Sequence, residues 1–530
     1  PNRSKREEEL QSTQHAGNPY FLVGMSGENN DRIVSEETGM KFWVDVTTVM
    51  KWSRPPVGIV RTEYELAKTL LTEEIVRFVR FDLDGGEPRT VSKLELERVL
   101  GRLSEPGLKK VDLKAEFIRK DPSEFLTSLR QAVVRRIEGA RPRSRYLAMR
   151  TLLPIQGLID FARQFPWFAR GVARHIKFQI SREKARFLQG LPPVSEGYMQ
   201  SNKSRSHKCG ADCLWSLFES GDVFLSAGLT WDYLDFDEVY LAKKTHGFKV
   251  LGFCYDLIPV KFPNFVPDGF SRNFSSYISK LVWASDMALA ISDTSKSDLR
   301  EYVHSTGIAK DLPIEVVKLG CEISSKSDRG TLPEDISAGN YILYVSSIER
   351  RKNHELLYKV YARIASERGV DIPRLVFVGM RGWLVDEMLR DISLDRSLLN
   401  SRDSKSIHIL NNVDDSELSW LYKNAICTLM PSNYEGWGLP VSESQAYGTP
   451  VIVGNLGASK EAAEGFAVEL DPQDYIGWKL EIERMFDDKA YVSNLKETLE
   501  AYSPPTWSSF SHQVLSAATS ITARGTETKK

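Results

Sequence analysis

Pro431-Ser-Asn-Tyr-Glu-Gly-Trp-Gly-Leu-Pro-Val-Ser-Glu-Ser-Gln-Ala-Tyr-Gly-Thr-Pro450 lies between two short apolar runs. The first, Ala425-Ile-Cys-Thr-Leu-Met430, is brief and ended by a proline, as a buried strand is. The second, Val451-Ile-Val453, is β-branched and equally short. Residues 441–447 read as a helix stopped at Gly448, because glycine tolerates the left-handed conformation that ends helices. Strand, loop, helix and strand make a βαβ unit, and open α/β sheets take ligands outside the carboxyl ends of their strands. In the loop, Gly436 and Gly438 let the backbone come close to a ligand. The amides of Gly438 and Leu439 lie just ahead of a helix and favour an anion such as a phosphate. Glu435 stands in the loop and Glu443 about one turn into the helix. Each carboxylate can accept two hydrogen bonds at once, which suits a vicinal diol of a ribose or hexose. Phosphate on amides with diols on carboxylates describes a sugar nucleotide. The alternative is a capping carboxylate beside an ordinary tight turn.

The remainder of the second half repeats this alternation. Tyr341-Ile-Leu-Tyr-Val-Ser346 reads as a buried strand, followed by Ser347-Ile-Glu-Arg-Arg-Lys-Asn-His354 and a helix from about Glu355. Three cations, Arg350, Arg351 and Lys352, at a helix start oppose its dipole unless an anion is near; the alternative is a solvated charge run. Residues 374–378 form another strand, leading into a turn with Gly379 and Arg381. Residues 407–410 form a further strand, and a short helix over 413–422 takes its cap from Asp414 or Asp415. The first half opens with a strand at Phe42-Trp-Val-Asp-Val46, a turn at Gly58 and a helix carrying Leu66, Leu70 and Leu71. Strands follow at 76–81, 223–228, 250–254, 287–292 and 315–320. Asp293 or Thr294 is expected to cap a helix over 295–303. Alternating strands and helices in both halves indicate two α/β domains with mostly parallel sheets.

Length and composition agree with this reading. The chain has 530 residues, 42% of them hydrophobic and 27% charged, with a net charge of −1. That charge gives no field toward nucleic acid. Five cysteines argue against a disulfide framework and for a reducing compartment, so a cytoplasmic location is expected. Residues 1–36 are polar, lack an apolar segment of the secretory kind, and are expected to be a disordered tail. In the stretch 123–210, basic residues far outnumber acidic ones up to about residue 186. There Phe165, Phe168, Val172 and Ile176 recur at helical spacing beside Arg163, Arg170, Arg174 and Lys177. Two readings stand: an inserted helical pair packed on the first domain, or a face for an anionic membrane or lipid-linked acceptor. Asp82-Leu83-Asp84 could hold a divalent metal but reads better as a surface turn. His207, Cys209 and Cys213 lack the spacing of a zinc site.

The loop around Glu435, with its Gly-aromatic-Gly-Leu-Pro run and second glutamate eight positions on, resembles the signature of family 4 glycosyltransferases of the GT-B fold. Other segments are similar to elements of the same family: Gly58-Ile-Val-Arg61, Tyr255-Asp-Leu-Ile-Pro259, Glu349-Arg-Arg-Lys-Asn-His354 and the loop ending at Glu461. Tyr255 stands where that pattern often has His, Arg350 where it has Pro, and Ser346 where many members carry a further Arg. The resemblance is close over 341–474 and looser over 42–320. It implies two Rossmann-like domains facing across a cleft: 37–323 for the acceptor, a linker at 324–340, and 341–490 for the donor. A last helix over 491–520 would cross back to the first domain. It implies transfer of a hexose from a nucleoside diphosphate sugar to a glycan or lipid-linked acceptor, with retention and without metal or other cofactor. Mannose is the first expectation, by analogy only. Arg351 and Lys352 would bind the diphosphate, with Arg350, Gly58 and the loop Gly436-Trp437-Gly438-Leu439 contributing. Glu435 would hold the sugar hydroxyls, Glu443 the ribose and Asp256 the donor sugar, and Gly379 and Arg381 would lie near the base. The alternative from another class is a non-catalytic binding paralogue, favoured by the changes at Tyr255 and Ser346.

Overall fold

A computed structural model of the chain describes residues 39–81, 88–104, 215–308, 311–323, 327–369, 372–395, 398 and 406–527. The N-terminal tail, the basic stretch 123–210, the Asp82–Asp84 triplet and the loop with His207, Cys209 and Cys213 lie outside the described residues.

The first sheet contains β1 (Phe42–Asp45), β2 (Val76–Arg80), β3 (Arg89–Val91), β4 (Val223–Ser226), β5 (Lys249–Cys254), β6 (Met287–Ala290) and β7 (Ile314–Val316). Their order is β3-β2-β1-β4-β5-β6-β7, and only the edge strand β3 runs antiparallel. The second sheet contains β8 (Tyr341–Val345), β9 (Arg374–Val378), β10 (Ile407–Leu410), β11 (Thr428–Met430), β12 (Val451–Gly454) and β13 (Val468–Leu470). Its order is β10-β9-β8-β11-β12-β13, all parallel. The central strands are buried on both faces, which is why they read as unbroken apolar runs. In β1, Phe42 and Val44 enter one core and Trp43 the other, following the two-residue period of a strand. In each sheet the strand order reverses beside the opening strand, between β1 and β4 and between β8 and β11. Such reversals leave a crevice at the carboxyl ends where ligands bind.

Several boundaries differ from the sequence expectation. The helix Asp293–Ser305 is capped by Ser292, whose Oγ accepts from the Ser295 amide at 2.9 Å, rather than by Asp293 or Thr294. Those two residues instead turn their amides to Glu461 of the second domain. The strand expected over 315–320 is limited to β7, because the chain then leaves the sheet to meet the returning C-terminus. The cations do not begin a helix. Arg350–Lys352 form a separate 3-10 turn, Asn353 adopts φ 58°, and the helix His354–Arg368 starts after it. Asp414 caps the helix Asp415–Asn424 with a full capping box to Glu417.

The last helix, Trp507–Glu527, lies on the first domain. Phe510 meets Phe253 of β5 edge-on, with ring centroids 6.3 Å apart. The approach is made through 505–507. The Cys321 amide donates to the Pro505 carbonyl at 3.0 Å, and the Trp507 amide to Glu322 Oε2 at 2.6 Å. A side chain on Gly320 would put its Cβ 2.3 Å from the Trp507 nitrogen, so this crossing requires glycine.

Candidate functional site

The carboxyl-end loops of the two sheets meet. Gly436, after β11, sits against the turn after β5. A Cβ there would lie 2.8 Å from the Tyr255 carbonyl oxygen and 3.0 Å from Asp256 Cβ. Ser295 Oγ donates to the Tyr255 carbonyl at 2.8 Å and reaches the Gly436 carbonyl at 3.2 Å. Tyr434 donates to Asp298 Oδ2 at 2.5 Å, and Lys261 binds the same carboxylate. The Glu461 carboxylate accepts from the Asp293 amide at 2.7 Å and the Thr294 amide at 2.8 Å, with Thr294 Oγ1 also donating. An acidic side chain at a helix N-terminus complements its dipole, here from across the cleft.

Four of the expected residues gather in this junction. Arg351 Nη1 lies 2.7 Å from Glu435 Oε2, and Lys352 Nζ lies 2.6 Å from Glu435 Oε1. Arg351 also donates to the Tyr434 carbonyl and lies 3.6 Å from Glu349 Oε2. Glu435 is only 5% exposed. Burial alone would raise its pKa, but the adjacent Arg351 and Lys352 outweigh it and hold the carboxyl down at about 2. Asp256 Oδ1 accepts from the Ile258 amide at 3.0 Å, and its Oδ2 has no hydrogen-bond partner among the described residues. Burial pushes the Asp256 carboxyl above the ordinary range despite the nearby Arg351.

Glu443 forms a second cluster, one turn into the helix Leu439–Ala446. It accepts from Tyr422 Oη at 2.7 Å and faces Arg61 Nη1 at 3.9 Å. Arg61 comes from the first domain, and its Nη2 also reaches Asp415 at 2.5 Å. Burial raises the Glu443 pKa, with Arg61 opposing. Gly438 caps the helix at φ 119°, a conformation that strains other residues. Behind it Pro440 carries no N–H and the Val441 amide donates to the Gly438 carbonyl at 2.8 Å, which leaves the Gly438 and Leu439 amides as the donors of this helix start.

Other expected residues stand apart. The Trp437 ring is buried in the core of the second domain, so only its backbone can serve the loop. Arg350 is exposed, and Arg381 is exposed and paired with Asp386; neither side chain joins the cluster, because each sits on the outer side of its turn. Gly379 has a packing reason: a Cβ there would lie 1.9 Å from the Ser346 carbonyl oxygen. Gly58 is exposed at the start of the helix Ile59–Leu70, with φ 53°. Tyr255 points back into its own domain and donates to the Ala227 carbonyl at 2.5 Å. The sequence reading missed Glu349, Arg61, Tyr422 and Asp415. Of these, Arg61 and Glu349 carried a signal as members of the Gly-Ile-Val-Arg turn and the Glu-Arg-Arg-Lys-Asn-His run, Asp415 was read only as a helix cap, and Tyr422 carried none.

A further cluster lies at the first switch point. Asp45, at the end of β1, accepts from the Thr47 amide (2.9 Å), Ser226 Oγ (2.6 Å) and Tyr233 Oη (2.8 Å). Glu63 lies nearby and fully buried, its Oε1 accepting from the Val49 amide at 2.8 Å and its Oε2 without a hydrogen-bond partner. Burial, then the charge of Asp45, pushes the Glu63 carboxyl well above its ordinary range. Gly228 makes the room, since a Cβ there would lie 1.8 Å from Glu63 Oε2.

Comparison with known proteins bears chiefly on the second domain. Residues 334–501 match the family described as glycosyl transferases group 1. The chain is 25% identical over 224 residues to the serotype-specific mannosyltransferase WbdA of Escherichia coli, covering 40% of this chain and 27% of that protein. It is 27% identical over 220 residues to the O-antigen chain mannosyltransferase B of Escherichia coli, covering 40% and 54%. It is 29% identical over 227 residues to a D-inositol 3-phosphate glycosyltransferase of Nocardiopsis dassonvillei, covering 41% and 51%. The chain thus spans between about a quarter and about half the length of these curated relatives. An alpha,alpha-trehalose 6-phosphate synthase structure from Burkholderia multivorans overlays 60% of the chain and 74% of its own, at 12% identity and a TM-score of 0.45. The matched region holds β8, β11 and their loops, so the second domain of this chain is similar to the glycosyl transferases group 1, and the chain's two Rossmann-like sheets have the arrangement of the GT-B architecture.

Proposed function

We propose that the chain is a hexosyltransferase of polysaccharide synthesis, moving a sugar from a nucleoside diphosphate donor to a glycan or lipid-linked acceptor. The supporting observation is the convergence of Arg351, Lys352, Glu435 and Asp256 where the carboxyl-end loops of both sheets meet. A buried lysine and a half-buried arginine beside the loop amides suit a leaving diphosphate. Glu435 then exchanges cation contacts for sugar hydroxyls, and Glu443 takes the ribose hydroxyls. Mannose is the sugar we favour, from the mannosyltransferases among the relatives.

We read the transfer as retaining. The acceptor oxygen attacks the anomeric carbon on the face from which the diphosphate leaves, and the departing phosphate oxygen takes the acceptor proton. No enzyme nucleophile is required on this route. Arg351 and Lys352 supply the charge that a metal ion supplies elsewhere, so the reaction is proposed to proceed without one. A membrane-surface location through the basic stretch remains part of this proposal; no described helix is long and apolar enough to cross a membrane.

A panel of nucleotide sugars, screened by thermal stabilisation and by release of nucleoside diphosphate, tests the reading. Stabilisation by one donor and slow hydrolysis of it support the proposal. Binding without hydrolysis or transfer to any glycan favours a non-catalytic sugar-nucleotide-binding protein.

A further inference from the structure

Against the charged junction, and sharing Asp256 and Arg351 with it, lies a cavity of about 200 Å³ whose aromatic wall the reading above leaves unused. Most of its lining comes from the first domain, and half of that part is aromatic. Trp231, Phe274 and Tyr277 form a triangle of rings with centroids 5.5 to 6.0 Å apart. Phe270 continues it, 6.0 Å from Phe274. The second domain contributes Trp383, whose ring lies 5.2 Å from that of Phe270 and is 40% exposed. The remaining lining from that domain is Glu349 and Arg351. Tyr277 has spent its hydroxyl on Thr230 at 2.6 Å, and Tyr255 on Ala227, so both present carbon to the cavity. Polar capacity is therefore gathered at one end, at Asp256, Glu349 and Arg351.

This division selects a chemistry. Pockets for drug-sized ligands measure about 300–1,000 Å³, so a smaller one takes a single ring rather than a chain. The aromatic faces are electron-rich and attract the weakly positive C–H face of a pyranose. A hydroxyl edge of that ring meets Asp256, whose Oδ2 is otherwise unpartnered among the described residues. A hydrocarbon tail would leave the charged end unpaired, and a phosphate would face Asp256 and Glu349. Glu435 and the loop amides do not line the cavity.

We propose that this cavity is the subsite for one sugar ring of the acceptor, and that it is complete only when Trp383 closes on Phe270 across the cleft. The proposal rests on the transferase reading above and assigns the acceptor a pyranose in contact with both domains.

The test uses the full chain with methyl hexopyranosides as acceptor probes and a short prenyl alcohol as the apolar control. Trp383→Ala and Phe270→Ala are expected to raise the hexoside KM about tenfold, the upper range of one aromatic contact. Donor hydrolysis without acceptor should stay within twofold, and Trp383→Phe should recover most of the loss. An unchanged hexoside KM, an equal loss of donor hydrolysis, or use of the prenyl alcohol alone would overturn the proposal. Direct titration separates it from the transferase reading. Saturable quenching of tryptophan fluorescence by a methyl hexoside, weakened by Phe270→Ala, supports the subsite even in a chain that transfers nothing. Absence of quenching in the unaltered chain overturns the subsite even if a donor is bound and hydrolysed.

Discussion

Changing Glu435 to Gln keeps the shape of the side chain and removes its charge. In the structure that charge is shared by Arg351 at 2.7 Å and Lys352 at 2.6 Å, and Lys352 is only 8% exposed. Removing one partner of a buried pair costs about 3–5 kcal/mol, because the remaining charge is left uncompensated. At about 2–4 °C per kcal/mol for a domain of this size, the second domain should melt roughly 6–20 °C lower. A nucleoside diphosphate should repair this, since its phosphates replace the lost anion. In the unaltered chain the diphosphate must first displace Glu435 from the cations. Sparing one charge-assisted bond of about 1.5–3 kcal/mol should therefore tighten diphosphate binding about ten- to a hundredfold in the variant. Transfer should fall, because Glu435 no longer holds the sugar. Melting curves with and without GDP and UDP, with calorimetric titration of each, read both effects. The pH dependence has a fixed sign. Glu435 is depressed to about 2 from an ordinary value of 4.5, so its stabilisation is full above about 4.5 and is lost as pH falls toward 2. The gap between the two proteins should close over that window. A variant that melts lower, is not rescued by either diphosphate, and binds both no better than the unaltered chain would refute the assignment of Arg351 and Lys352 to the diphosphate.

The other predictions are briefer. Glu443→Ala removes two expected ribose bonds and should weaken nucleotide binding at least tenfold in calorimetry while the fold persists; unchanged affinity removes Glu443 from the site. Burial, then the charge of Asp45, raises the Glu63 carboxyl well above its ordinary value of 4.5, so its contribution to stability is present below 4.5 and lost as pH rises through the raised folded pKa. Urea melts of Glu63→Gln should accordingly lack the loss of stability expected of the unaltered chain as pH rises above 4.5, and parallel profiles would count against a raised Glu63. Excess EDTA should leave transfer largely intact, whereas complete loss restored by manganese would return attention to Asp82 and Asp84. Changing Arg163, Arg170, Arg174 and Lys177 to Gln should abolish co-sedimentation with anionic vesicles at low salt, where each cation contributes about 1 kcal/mol; absence of vesicle binding in the unaltered chain would favour an insert packed on the first domain.

The fold was legible because its strands are buried on both faces. Phe42-Trp-Val and Tyr341-Ile-Leu-Tyr are apolar without alternation, and only a parallel sheet covered on both sides makes that pattern favourable. The loop around Glu435 could be placed because its glycines and the following helix each have a local cause. What could not be read was contact across the cleft. Nothing in the sequence near Thr294 shows that its amide faces Glu461, and that contact moved the helix cap to Ser292. Nor does Glu435 announce that it neutralises Arg351 and Lys352, residues 84 and 83 positions away. The resemblance implies a donor-loop role for Trp437, but its ring faces inward and packs in the core, which a residue between two glycines does not disclose.

The chain passes between its domains twice, once leaving β7 and once returning through 505–507, and the two passages are tied by the Cys321–Pro505 and Trp507–Glu322 hydrogen bonds. Two adjacent tethers act as a spine, which leaves the domains free to swing about one line and resists their twisting or sliding. An opening about that line would part the Arg61–Glu443, Ser295–Gly436 and Thr294–Glu461 contacts together. A bulky residue at Gly320 would pry the tethers apart and release the twist, so its effect should appear in the range of domain orientations before it appears in the melting temperature of either sheet.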